Sequence, residues 1–292
     1  MLVDGDLSVR IFVSRFGKVD DEELDRIVRL MKECYGRLEP HEVELVDLYV
    51  FERSSSVDAF LAKEYKEVGV ISAPFDETFF AMHDAWRGTS RIILCVERMG
   101  GLPRLVREGG VRHEVGHSVL HGDLRYYLLS VPPMLLELSE RFNFSREYAT
   151  NLLYLVSIAV KDYEVSRLLT ERGYIEDQLA YARHLLTVSE GERLSWQISS
   201  GNPLAEILCL VSCLKDLSCA LPFVVDERFR EEIERNLRES LSYLPKGHLT
   251  KLLDLTSDCF LSLGTDTLSN INHVTNLTAD RIIKPILLMN ER

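Results

Sequence analysis

VRHEVGHSVLHGD, residues 111–123, sets three histidines and a glutamate into a stretch with helical apolar spacing. Val111, Val115, Val119 and Leu120 make it an amphipathic helix, half-buried by expectation. His113 and His117 are four residues apart, hence one turn apart on one face. Two imidazoles placed that way can grip one divalent ion. Glu114, next to the first histidine, would project toward a water on that ion and take its proton. Two ordinary polar histidines would need other partners in such a helix.

An ion that does chemistry needs three protein donors and one open position. His121 lies four residues beyond His117, but at the helical rise it sits about 12 Å along the axis from His113. With metal–nitrogen bonds near 2 Å, one ion cannot hold all three rings. His121 is therefore expected at the helix end, beside the donors rather than among them. The third donor should come from another helix, and SIAVKDYEVSRLL (157–169) offers Asp162 and Glu164. Leu155, Ile158, Ala159, Val165 and Leu169 share the Asp162 face, with Ser166 one turn on. A carboxylate on an apolar stripe is costly unless a cation meets it. Glu164 points about 200° away, beside Arg167, where an ion pair would account for it. The spacing favours Asp162 and leaves Glu164 as the alternative.

Outward from the motif, the chain reads as α+β. SVRIFVSRF (8–16), VELVDLYVFE (43–52) and TSRIILCVERM (89–99) read as strands. DDEELDRIVRLMKECYGRL (20–38) and SSSVDAFLAKEYKEVG (54–69) read as helices between them. Beyond about residue 130 the strand signals stop. Helices are expected over 146–173, 175–189, 203–221, 226–244 and 248–263, broken at glycines and prolines. The expected organisation is an α/β part over 1–128, with a small sheet and the histidine helix, and an all-helical part over 129–292 supplying the third donor.

The 292 residues are 46% hydrophobic and 27% charged, with a net charge of −12. That balance speaks against general nucleic-acid or anionic-lipid binding, which needs a cationic surface. The N-terminus has no secretory pattern, and the longest apolar run, within NLLYLVSIAV (151–160), falls short of the roughly 20 residues that span a bilayer. A cytoplasmic protein without a membrane span is expected. The six cysteines lack a dense spacing pattern and read as core thiols of a reducing compartment.

HEVGHSVLHGD followed downstream by KDYEVSRLL resembles the gluzincin arrangement of zinc metallopeptidases. There one helix carries H-E-x-x-H and a second carries an acidic ligand with a polar residue four positions later. HEVGHSVLH is particularly similar to the intracellular ImmA/IrrE-type metallopeptidases. DYEVS is similar to a D-x-x-x-N variant of the second motif, which gives Asp162 the ligand place and Ser166 the supporting place. Ser166 and Asp162 depart from the more usual Asp or Asn and Glu. The resemblance covers about residues 91–169, and the helical region after 173 lies outside it.

The resemblance implies a zincin-like fold, a Zn²⁺ held by His113 and His117, and Glu114 as general base and then proton donor to the leaving amine. It implies that Arg91–Glu97 is the edge strand on which an extended peptide pairs, a place an ordinary sheet strand would equally explain. Tyr126, Tyr127 and His184 are the candidates for oxyanion stabilisation. The expected activity is hydrolysis of a peptide bond in a restricted intracellular protein substrate, with the helical part recognising substrate or a partner protein. The alternative is a non-catalytic, metal-stabilised protein-interaction module.

Overall fold

The computed structural model of the chain describes residues 9–67 and 80–289. Ser8 and residues 68–69, at the ends of two expected elements, lie outside the described residues. The fold is α+β, with a small mixed sheet and many helices. It divides into two units: one takes in the described residues through Tyr127 together with Leu168–Tyr181, the other Leu128–Arg167 and Ala182 onward.

In the first unit the order is β1 (Arg10–Phe16), α1 (Asp21–Leu38), β2 (Leu45–Phe51), α2 (Ser54–Glu67), β3 (Ala81–Asp84), β4 (Arg91–Cys95), a single turn α3 (Val96–Met99) and α4 (Arg104–His121). The four strands lie in the order β1-β2-β4-β3. β1 and β4 run parallel to β2, and β3 runs antiparallel to β4, with Asp84 opposite Arg91. β4 is buried at every residue, as the apolar run IILC that follows Arg91 requires of an interior strand.

That order corrects the expectation that Arg91–Glu97 forms the edge. The strand stops at Cys95, Val96–Met99 turns helical, and the edge beside it is β3. The sequence allows a further strand between α2 and β4 without giving its residues, because AMHD is four residues long and carries two polar side chains. Its pairing is fixed from outside: the buried Arg91 guanidinium holds Asp84 at 2.9–3.1 Å and Glu64 of α2 at 2.6–2.8 Å. Burial alone would lower the Arg91 pKa, but these two carboxylates outweigh it and hold it above its ordinary value.

α1 begins at Asp20, whose side chain accepts from the Glu23 amide, and three acidic residues favour its first turn. Its stripe of Leu24, Ile27, Met31, Cys34, Tyr35 and Leu38 is buried, and the helix packs on α4. α4 also packs on β3 and β4. It begins well before the motif and runs through Gly109 and Gly110, a pair that costs about 1 kcal/mol each in a helix. Close approach explains them. A Cβ on Gly109 would lie 2.4 Å from the Asp177 carbonyl oxygen, and one on Gly110 2.2 Å from the Phe80 ring. Gln178 donates to the Gly109 carbonyl at 2.9 Å, and Arg112 binds Asp177 at 2.6 Å.

The other helices are α5 (Pro133–Phe142), α6 (Arg146–Glu171), α7 (Glu176–Leu185), α8 (Glu190–Ser199), α9 (Pro203–Ser218), α10 (Arg230–Ser240), α11 (Lys246–Cys259), α12 (Thr267–Thr278) and α13 (Lys284–Met289), with a π-helical turn at Ala279–Ile283. α5, α8, α12 and α13 stand outside the expected helices. α8 nonetheless opens with a capping box, Ser189 and Glu192, and α12 with an Asp266 cap, signals legible in the sequence. Within the second unit α9 packs on α8, α11 and α13, and Ile207, Leu210, Val211, Leu214 and Leu217 form its buried face. Among the described residues no helix is long and apolar enough to cross a membrane.

Candidate metal centre

On α4 the motif is buried more fully than its amphipathic pattern implies. His113, Glu114, Ser118 and His121 are all buried, and His117 is half-buried. The Nε2 atoms of His113 and His117 stand 3.1 Å apart, with the two rings at 79°. Two nitrogens bound near 2.05 Å around a tetrahedral ion would be about 3.3 Å apart, so the pair fits a chelate as it stands. It equally fits one imidazole donating to the other.

His121 closes α4, with its Nδ1 3.2 Å from that of His117 and its ring edge-on to Tyr126. It lies beside the pair, and His117 alone of the two approaches it. Further side chains of the first unit surround the histidines. His83, on the edge strand β3, lies parallel to the His117 ring with centroids 6.0 Å apart. Ser90 Oγ meets its Nε2 at 2.8 Å, and the Tyr127 hydroxyl meets its Nδ1 at 3.2 Å. Tyr181 packs on the His113 ring at 5.2 Å. On the α1 side, Tyr35 and Ser118 share a 2.6 Å hydrogen bond that joins the two helices.

Of the oxyanion candidates, Tyr126 and Tyr127 are thus placed at His121 and His83. His184 lies on the part of α7 that belongs to the second unit, where burial lowers its pKa. His83 and Tyr181 were missed by sequence reading: each is a lone residue outside any motif, brought in by a short edge strand and by α7.

The carboxylates of α6 belong to the second unit. Asp162 is half-buried, and one of its oxygens lies within 4.8 Å of the Cys219 thiol just beyond α9. Glu164 differs from expectation. It is buried, and its carboxylate accepts from Thr267 Oγ1 at 2.7 Å and Asn270 Nδ2 at 2.6 Å, both on α12. Arg167, the expected ion-pair partner, instead donates to the carbonyls of Leu263 and Gly264. Ser166 is buried. Lys161 is buried as well, and that burial pushes its pKa down to about 8 against the pull of Asp162 and Glu164. Part of the positive charge that the half-buried Asp162 needs is therefore supplied within its own helix.

The six cysteines form no disulfide, and all but Cys209 are buried. Cys213 Sγ lies at the Cys209 carbonyl and the Tyr243 hydroxyl. No protein-family model, curated protein or solved structure matches this chain.

Proposed function

We propose that this chain is a zinc-dependent metallopeptidase. The observation that carries the reading is the 3.1 Å separation of the His113 and His117 Nε2 atoms, with Glu114 between them in sequence and buried with His113. His113 and His117 would hold the Zn²⁺, joined by Asp162; Glu164 is the weaker choice because α12 already supplies it with two donors. A Zn²⁺ held there lowers the pKa of water and polarises a substrate carbonyl. Glu114 takes the proton of the attacking water and returns it to the leaving amine nitrogen. His121 steadies the His117 ring through Nδ1. Ser166 supports Asp162 from one turn away. β3, the edge strand next to the histidines among the described residues, is the strand on which an extended peptide would add, and Tyr127 with His83 supplies the polar groups at that edge. A restricted intracellular protein is the proposed substrate.

A second reading draws on Cys219. If its thiolate joins Asp162, His113 and His117, four protein donors close the site, as in structural zinc centres. The protein would then be a metal-stabilised interaction module.

One experiment separates the two. Zinc-loaded protein is incubated with a peptide library, and cleavage is read by mass spectrometry. Zinc-dependent cleavage that falls by about a thousandfold in Glu114→Gln, with zinc retained, is expected of the peptidase. Cys219→Ser should leave that cleavage intact. No cleavage by the wild type, with sulfur in the zinc coordination sphere by X-ray absorption, would replace the peptidase by the module.

A further inference from the structure

In the first unit, lined by none of the residues proposed above to act on substrate or metal, a cavity of about 300 Å³ lies between α1 and α4. Its walls carry five arginines against three glutamates, in a chain whose net charge is −12. Its apolar surface comes from Ile27, Leu30, Met99 and Val111. A concave, partly apolar wall with convergent charged groups is the usual form of a small-molecule site.

The arginines are incompletely paired by protein carboxylates. Arg112 is consumed by Asp177 and Glu33. Arg107 reaches Glu23 only at 3.8 Å, and its buried Nε has no hydrogen-bond partner. Arg104 reaches Glu108 at 3.7 Å and is 73% exposed. Both of these arginines sit in the opening turns of α4, which has no side-chain cap and no acidic residue in its first turn. Cations there oppose the helix dipole, and an anion would relieve both terms.

We infer that this cavity binds a small ligand carrying an oxyanion, phosphate or carboxylate, on an apolar body. The anion would lie against Arg104 and Arg107, which give charge-assisted hydrogen bonds, and the apolar body against Met99 and Val111. Nothing in the inference depends on the metal or on peptide hydrolysis.

The test is calorimetric titration of the full chain with phenyl phosphate, phenylacetate and the neutral benzyl alcohol at matched ionic strength. It is repeated on His113→Ala/His117→Ala, so that an ion at the histidines cannot account for the signal. At least one of the two anionic probes should bind saturably to both proteins, and the tighter one identifies the anion. Benzyl alcohol should not bind. Arg104→Gln/Arg107→Gln should weaken binding about tenfold or more, and the exposed single variant Arg104→Gln, which disturbs the fold least, should weaken it measurably. Absence of saturable binding to the wild type, binding lost in the histidine variant, or affinity unchanged in both arginine variants would overturn the inference.

Discussion

On α4 the three histidines meet one another in series; on α6 the two carboxylates are met from elsewhere in the chain. His113 touches His117, and His117 touches His121, all within one helix. Glu164 is satisfied from α12, and Asp162 lies by the Cys219 that follows α9. Contacts of the first kind follow from a spacing of four residues and 3.6 residues per turn. Those of the second kind depend on which helix arrives opposite, and α6 is buried around most of its circumference. A helix buried on every side has no polar face from which to read direction.

The largest expected effect tests the α6 half of this contrast. Glu164→Ala removes a buried acceptor, takes away the bond the Thr267 hydroxyl donates, and leaves the Asn270 amide nitrogen with the Gly264 carbonyl at 3.1 Å. Stability should fall by about 2–4 kcal/mol, measured as a shift of the urea midpoint. A shift worth less than about 0.5 kcal/mol would show that α12 does not depend on this carboxylate.

A smaller effect tests α4. Alanine is the better helix former by about 1 kcal/mol, so propensity alone says that Gly109→Ala stabilises. The approach of the Asp177 carbonyl says the reverse, because backbone oxygen cannot step aside as a side-chain tip can. Destabilisation of about 1–3 kcal/mol is expected in the same unfolding measurement. A stabilised variant would mean that the helix pair adjusts freely and that Gly109-Gly110 needs another explanation.

The same contrast decides what was legible in the sequence. The α+β class and the HExxH helix followed from period and spacing, as did the placement of His121 beside His117. The interior place of β4 was not legible because its neighbour β3 is too short and too polar for the sequence to place it or pair it. Glu164 was misjudged because Thr267 and Asn270 lie about a hundred residues further along the chain, on a helix whose own pattern had not been read. His83 and Tyr181 carry no local signal; only the fold makes them neighbours of the motif.

The central claim is that one zinc ion is held by His113 and His117 with the α6 carboxylate Asp162. It is tested most directly by metal content, read by inductively coupled plasma mass spectrometry on the zinc-equilibrated full chain and its variants. About one zinc per chain is expected for the wild type and for Glu164→Gln, little for Asp162→Ala, and none for His113→Ala/His117→Ala, with folding of each checked by circular dichroism. Stoichiometric zinc retained by the folded double histidine variant, or none held by the wild type, would contradict the claim.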